Sequence, residues 1–150
     1  MGAKKTEKVQ IQFQDDEGRR ESLSASTVGR SLYRVENSPS FAYSVSLNDI
    51  VRARRGKDGL LHFSEVVEKS GNRTVRLLLA KFSVNSETAQ PILRGIEGLG
   101  CSYENLQASM LCVNVPHEVD LQQVVEYLKT LEMWWEYADP TYETLYPAED

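Results

Sequence analysis

The spacing of apolar residues changes midway along the chain, and no other feature of the sequence constrains the fold as strongly. Apolar and polar residues alternate at 9–14 and again at 31–36, which is the period of a half-buried strand. After residue 86 the apolar residues recur at helical spacing instead, at Ala89, Ile92, Leu93, Ile96 and Leu99. This change predicts an α+β protein whose first half is built from strands.

Turn signals separate short extended stretches in the first half. A further extended stretch is plausible at 21–28, and residues 42–55 suggest an extended lead-in, a bend at Asn48-Asp49 and a strand. The run RGKDG at 55–59 is typical of a hairpin loop, with its return strand directly after it. Five or six short strands are best closed into a barrel, so residues 1–72 are predicted to form a small β-barrel-like sheet.

The second half, residues 73–150, combines strands with helices. Residues 73–82 are apolar in the middle and indicate a buried strand. Residues 83–86 (SVNS) offer N-cap side chains for the helix that follows, and Gly98 and Gly100 are expected to end that helix.

Two further strands and a second helix complete this half. The strands are predicted at 101–107 and 109–116, and Asp120 with Gln123 forms a capping box for a long helix over 121–138. The order β-α-β-β-α predicts a ferredoxin-like βαββα unit, on which the N-terminal sheet packs.

Composition places the chain among globular proteins. Of its 150 residues, 41% are hydrophobic and 26% are charged, and no apolar run approaches the roughly 20 residues that span a bilayer. The N-terminal lysines are not followed by the apolar segment of a secretory signal, so a cytoplasmic location is expected. Cys101 and Cys112 are then expected to be buried and reduced, although a disulfide across a hairpin is a second possibility.

Charge is distributed unevenly along the chain. Residues 1–75 contain 13 Lys and Arg against 10 Asp and Glu, a net charge of +3. Residues 76–150 contain 4 against 12, a net charge of −8. Such asymmetry bears on partners and on association rates rather than on the fold.

Three stretches carry a family resemblance. They are FQDDEGRRES at 13–22, YRVENSPSFAYSVSLNDIVRA at 33–53 and DGLLHFSEVVEKSGNRTVR at 58–76. They resemble a bacterial family named domain of unknown function 4265, over roughly residues 9–145. The resemblance implies a small cytoplasmic bacterial protein and assigns no activity.

The residues that usually carry catalysis are scarce. His62 and His117 share no motif, and neither His nor Cys residues occur at metal-ligand spacing. A Cys–His nucleophile would require Cys101 or Cys112 to meet a histidine in space. We therefore predict a non-enzymatic protein with no metal and no cofactor.

The segment MWWEYADPTYETLY at 133–146 is both aromatic and acidic. On the predicted helix Trp135 lies on the apolar stripe, whereas other side chains point away from it or follow the helix. These form the predicted partner-binding surface, which consists of Trp134, Glu136, Tyr137, Asp139, Tyr142 and Glu143. The alternative is that this tail folds back over its own sheet.

The acidic half and its aromatic residues favour protein binding as the function. The sharper hypothesis is a bacterial immunity or inhibitor protein that covers the basic cleft of a toxin, such as a nuclease. The alternative is a nucleic-acid-associated regulator that uses the basic cluster Arg52, Arg54, Arg55 and Lys57. The pI of about 5.1 makes nucleic acid the weaker candidate, and the cluster could instead be a solvated strand edge that discourages pairing.

Overall fold

The computed structural model describes residues 7–79, 86–107 and 109–148. The chain divides into two compact units, Met1–Ser70 and Gly71–Asp150. Each unit contains one sheet in which nearly all strand pairs are antiparallel, and in the described residues the helices belong to the second unit. The predicted α+β class is confirmed, and strands make up most of the regular structure.

The described residues of the first unit form one five-stranded sheet. Its strands are β1 (Lys8–Gln14), β2 (Arg20–Gly29), β3 (Leu32–Val35), β4 (Ile50–Arg55) and β5 (Leu61–Glu68). Neighbours in the chain pair antiparallel, and β1 also meets β5 in a short parallel pairing of Ile11 with Leu61 and Gln12 with His62. Alternate side chains point inward to a core that includes Ile11, Phe13, Leu23, Ala25, Val35, Val51 and Ala53.

The connection between β3 and β4 departs from the prediction. Residues 36–49 contain no strand, so the extended lead-in expected from residue 42 is wrong. The Glu21 carboxylate accepts the backbone N–H groups of Ser40, Phe41 and Ala42 at 2.7, 2.6 and 2.9 Å. Successive N–H groups of a strand point in opposite directions, whereas these three converge on one carboxylate. The connection is therefore a loop held around a charged side chain.

Asp49 fixes the other end of this connection. Its side chain is fully buried and accepts the backbone N–H groups of Ser46 and Ser70 at 2.9 and 2.8 Å. The ammonium of Lys69 lies 2.6 Å from the same carboxylate. One buried charge thus joins the start of β4 to the residues that follow β5, and its hydrogen bonds offset the cost of its burial.

The described residues of the second unit form four strands and three helices. They are β6 (Arg73–Leu78), α1 (Ala89–Gly98), β7 (Ser102–Gln107), β8 (Met110–Val115), α2 (Leu121–Thr130), β9 (Trp135–Asp139) and α3 (Tyr142–Leu145). The sheet order is β7-β8-β6-β9, and every pairing is antiparallel. The buried sides of α1 and α2 share a core with alternate residues of β6 and β8, including Val75, Leu77, Leu111 and Val113.

The second helix is shorter than predicted. The Asp120 cap is confirmed, because its side chain accepts the N–H of Gln122 at 2.9 Å. However, α2 ends at Thr130, and Glu132 adopts a positive φ of 56° that breaks the helical path. Residues 135–139 then pair with β6, so the helix predicted to reach residue 138 is wrong. The reason is long-range: the edge of β6 offers backbone hydrogen bonds to an aromatic stretch with high β-propensity.

The first helix ends as expected and lies close to α2. Gly98 is its last residue, and Gly100 takes the left-handed conformation with φ of 94°. The N-cap predicted at residues 83–86 lies largely outside the described residues, as does the end of the strand predicted over 73–82. A Cβ added at Gly95 would lie 2.1 Å from the hydroxyl oxygen of Tyr127, so this glycine permits the contact between the two helices.

Candidate functional site

Four aromatic rings form a continuous series from the core of the second unit to its surface. Trp135 and Tyr137 lie on β9 with ring centroids 5.0 Å apart in an edge-to-face arrangement. Tyr137 in turn contacts Tyr142 and Tyr146, with centroid distances of 6.2 and 6.4 Å. The rings of Tyr142 and Tyr146 are 5.0 Å apart. These distances lie within the range of favourable aromatic pairs, so contacts with the inner rings stabilise the positions of the two outer rings, Tyr142 and Tyr146.

The short helix α3 presents the outer rings to solvent. The Thr141 hydroxyl caps it by accepting the Thr144 N–H at 3.3 Å, and Glu143 lies in its first turn, where a negative charge is favourable. Tyr142 and Tyr146 are four residues apart and therefore lie on one side. They are 57% and 50% exposed. We call Tyr142, Glu143, Leu145 and Tyr146 the α3 surface.

The structure separates the six residues predicted to bind a partner. Trp134, Tyr142 and Glu143 are exposed. Tyr137 and Asp139 are only 9% and 7% exposed, so the prediction that they point away from the core is wrong. They lie on a strand of period two rather than a helix of period 3.6, which changes the side each residue faces.

Glu136 is half-buried and has a structural partner. Its carboxylate lies 3.3 Å from the guanidinium of Arg76, which is 1% exposed. The two residues face each other on adjacent strands β9 and β6. A buried arginine needs such a negative neighbour, so Glu136 contributes to the fold of the sheet.

Leu145 and Tyr146 belong to the exposed surface, although neither is among the six residues predicted to bind a partner. Leu145 is 37% exposed, and the N–H of Tyr146 donates to the carbonyl of Tyr142 at 2.8 Å. The signal available in the sequence was the four-residue spacing of Tyr142 and Tyr146, which places both rings on one side of a helical turn.

Tyr137 links the α3 surface to the core through its hydroxyl group. Burial raises the pKa of Tyr137 to about 12, and a hydrogen bond with Tyr146 acts in the same direction. The phenol therefore stays neutral over the whole physiological range and can keep this hydrogen bond. This contact fixes the position of the Tyr146 ring.

The basic cluster lies on the β4–β5 hairpin of the first unit. The guanidinium of Arg52 is 3.0 Å from the carboxylate of Glu65, and Arg55 donates to the carbonyl of Gly59. Arg54 and Lys57 are exposed. Because β4 pairs with β3 on one side and β5 on the other, the interpretation of this cluster as a pairing-resistant edge is wrong.

The remaining candidates for chemistry are dispersed. His62 contacts Asp58 at 2.9 Å at the surface of the first unit, whereas His117 belongs to the second. Cys101 and Cys112 are both free and buried, as expected, and burial raises the pKa of the Cys101 thiol. The described residues contain no group of three or more His, Cys, Asp or Glu side chains that could hold a metal ion. Within the same residues, no helix is long and apolar enough to cross a membrane.

Comparison with known proteins gives a family and a fold. The family model described as a domain of unknown function (DUF4265) matches residues 21–137. The chain belongs to this family. The matched region includes Glu21 and the loop that it holds, the contacts of Asp49 and most of the second unit, and it stops before α3.

A solved structure of similar fold is titled as the novel crystal structure of a hypothetical protein from Neisseria gonorrhoeae. It aligns with a TM-score of 0.68 at 22% identity, covering 94% of this chain and 99% of that one. At this identity the similarity shows the fold alone. No match was found among the curated proteins.

Proposed function

We propose that this DUF4265 protein is a non-enzymatic protein-binding module and that the α3 surface contacts its partner. The observation that carries the proposal is the exposure of Tyr142, Leu145 and Tyr146 together on one short segment. Large apolar side chains in water contribute little to folding, whereas aromatic anchors dominate many interfaces. The contacts of Tyr137 with both tyrosine rings pre-organise this segment and reduce the entropy lost on binding.

The charge of the second half indicates a basic partner. Residues 76–150 have a net charge of −8, and Glu143 lies within the α3 surface itself. A basic partner would be attracted over long distances, and its Lys or Arg side chains could stack on the tyrosine rings. The specific form of this proposal is an immunity or inhibitor protein that covers the basic cleft of a toxin, such as a nuclease.

The test compares two purified variants against one candidate toxin. Candidate toxins are sought among the products of the neighbouring genes, and inhibition of the nuclease activity of such a candidate by an equimolar amount of the chain is measured. We expect Tyr142→Ala/Tyr146→Ala to weaken binding at least about thirtyfold, which corresponds to the loss of one interface hot spot. Tyr43→Ala is the matched control, because Tyr43 is a tyrosine of similar exposure, 44%, that belongs to the first unit and not to the α3 surface.

Two results would count against the proposal. If the double variant binds as tightly as the control, the α3 surface is not the interface. If binding does not weaken as salt is added, the partner is not selected by charge. Either result can be read only after circular dichroism shows that the variants are folded.

Nucleic-acid binding is the second candidate function. Arg54 and Lys57 project from the β4–β5 hairpin without an ion pair in the described part of the chain, which leaves their charge available to a phosphate backbone. Fluorescence anisotropy with labelled RNA and DNA tests this, and charge reversal at Arg54, Arg55 and Lys57 should abolish binding. Retention of binding by that variant would exclude the basic cluster.

We also propose a finer description of the fold and a location. The second unit is a ferredoxin-like plait, supported by its β-α-β-β-α-β order and by the sheet order β7-β8-β6-β9. The first unit is a small barrel, supported by the pairing of β1 with β5. A cytoplasmic location is supported by the two buried free thiols, since reducing compartments keep cysteines unpaired.

A further inference from the structure

A shallow cavity of about 230 Å³ lies on the outer side of the first unit. It is lined by Arg34, Asn48, Ile50, Glu68, Lys69 and Ser70. These residues come from β3, from the turn before β4 and its first residue, and from the last residue of β5 and the two that follow it. The turn at Asn48, where φ is 69°, and the residues after β5 are joined by the buried Asp49, so the rim has a fixed shape.

Opposite charges lie at two sides of this cavity, and an apolar residue lies between them. Arg34 pairs with Ile50 across β3 and β4, and Ile50 pairs with Glu68 across β4 and β5. Adjacent strands are about 4.8 Å apart, so the Cα atoms of Arg34 and Glu68 are separated by roughly 10 Å. Neither side chain has an ion-pair or hydrogen-bond partner among residues 7–79, 86–107 and 109–148.

We propose that this cavity binds a small zwitterion, of the class of an α-amino acid with a compact apolar side chain. Its carboxylate would pair with Arg34 and its ammonium with Glu68, while the side chain would rest on Ile50. The amine nitrogen and carboxylate oxygens of such a molecule are about 3 Å apart. With a hydrogen bond of about 2.9 Å at each end, the molecule needs its two charged partners roughly 9 Å apart, a separation that Arg34 and Glu68 can adopt with their side chains upright on the same side of the sheet.

The charges around the cavity favour a zwitterion over a simple anion. The ammonium of Lys69 is held 2.6 Å from the buried carboxylate of Asp49, so these two charges offset each other. This leaves one positive and one negative side chain, Arg34 and Glu68, facing the cavity. A phosphate or an acetate would satisfy the guanidinium and would leave the carboxylate of Glu68 beside a second negative charge.

The experiment is a titration of the full ¹⁵N-labelled chain followed by NMR. L-valine is the probe, and acetate, methylamine and inorganic phosphate are the comparison ligands. We expect saturable shifts at the amides of Asn48, Ile50 and Ser70 with millimolar L-valine, and weaker binding of all three comparison ligands. Arg34→Gln and Glu68→Gln should each weaken L-valine binding at least about tenfold, which is the loss of one charge-assisted hydrogen bond.

The matched control is Arg30→Gln, because Arg30 is an exposed arginine in the turn between β2 and β3 and does not line the cavity. It should bind L-valine as the natural chain does. Equal binding of acetate or phosphate, or unchanged affinity in Glu68→Gln, would show an anion site only and would overturn the proposal. The absence of any saturable shift would overturn it as well. The outcome is independent of the α3 surface, which belongs to the other unit.

Discussion

Replacing Gly95 with alanine tests how the two long helices of the second unit approach each other. The added Cβ would lie 2.1 Å from the hydroxyl oxygen and 2.5 Å from the Cζ atom of Tyr127. Both distances are far shorter than a van der Waals contact, so Tyr127 must move. It cannot rotate freely, because its ring packs against the core and its hydroxyl donates to the carbonyl of Ile92 at 3.2 Å.

Three contributions determine the expected change in the free energy of unfolding. Alanine stabilises a helix by about 1 kcal/mol relative to glycine. Displacing a packed side chain costs roughly 1–3 kcal/mol, and the lost hydrogen bond to Ile92 costs about 1 kcal/mol more. The net expectation for Gly95→Ala is a destabilisation of roughly 1–3 kcal/mol.

Gly98→Ala is the matched control in the same helix. A Cβ at Gly98 would meet nothing within 4 Å, so this variant should be as stable as the natural chain or about 1 kcal/mol more stable. Urea unfolding followed by tryptophan fluorescence is the assay, because the chain has two tryptophans and both belong to the second unit. If Gly95→Ala is as stable as Gly98→Ala, the proposed close contact with Tyr127 does not exist.

Three further predictions concern polar groups that are buried or half-buried. Asp49→Ala should destabilise the first unit by roughly 3 kcal/mol, because two N–H groups and the ammonium of Lys69 lose their acceptor. Urea unfolding followed by circular dichroism measures this, and a change below about 1 kcal/mol would contradict it. Glu21→Gln should speed hydrogen exchange of the amides at 40–42, whereas Glu17→Gln, an exposed control, should not. Tyr137 should ionise near pH 12, as followed by tyrosinate absorbance. In the unfolded chain the phenol of Tyr137 ionises near pH 10, so the stability that Tyr137 contributes should be complete below pH 10 and lost as the pH rises towards 12. Ionisation of all tyrosines together near pH 10 would refute the raised pKa of Tyr137.

Elements that are specified by neighbouring residues could be predicted from the sequence. The alternation at 9–14 corresponds to β1, the Gly-rich loop at 55–59 joins β4 to β5, and Asp120 caps α2 as expected. Each of these signals depends on residues that are close in the chain. A reader of the sequence therefore needs no tertiary information to find them.

Elements that depend on distant partners could not be predicted. The loop at 36–49 is shaped by Glu21, which lies on another strand, and β9 exists because β6 has an edge that it can pair with. The same limit applies to the candidate site. On a helix, Tyr137 would point away from the apolar side, whereas on the strand that forms it is buried. Assigning a helical period of 3.6 instead of a strand period of two therefore placed a core residue on the predicted surface.

Several residues that carry the family resemblance have structural roles. Asn37 accepts the N–H of Ser24 at 2.9 Å, Phe41 and Ala42 donate to Glu21, and Asp49 joins the two ends of the connection. These contacts give the stretch a structural role without reference to any ligand. A function shared by the family should therefore depend on other residues, whose positions these contacts fix but which do not themselves stabilise the fold. In the first unit, Arg34 and Glu68 meet that description, because both face the cavity and neither stabilises the sheet through an ion pair with a described residue.

The α3 surface lies beyond the matched residues 21–137, so protein binding there would belong to this chain and not necessarily to its relatives.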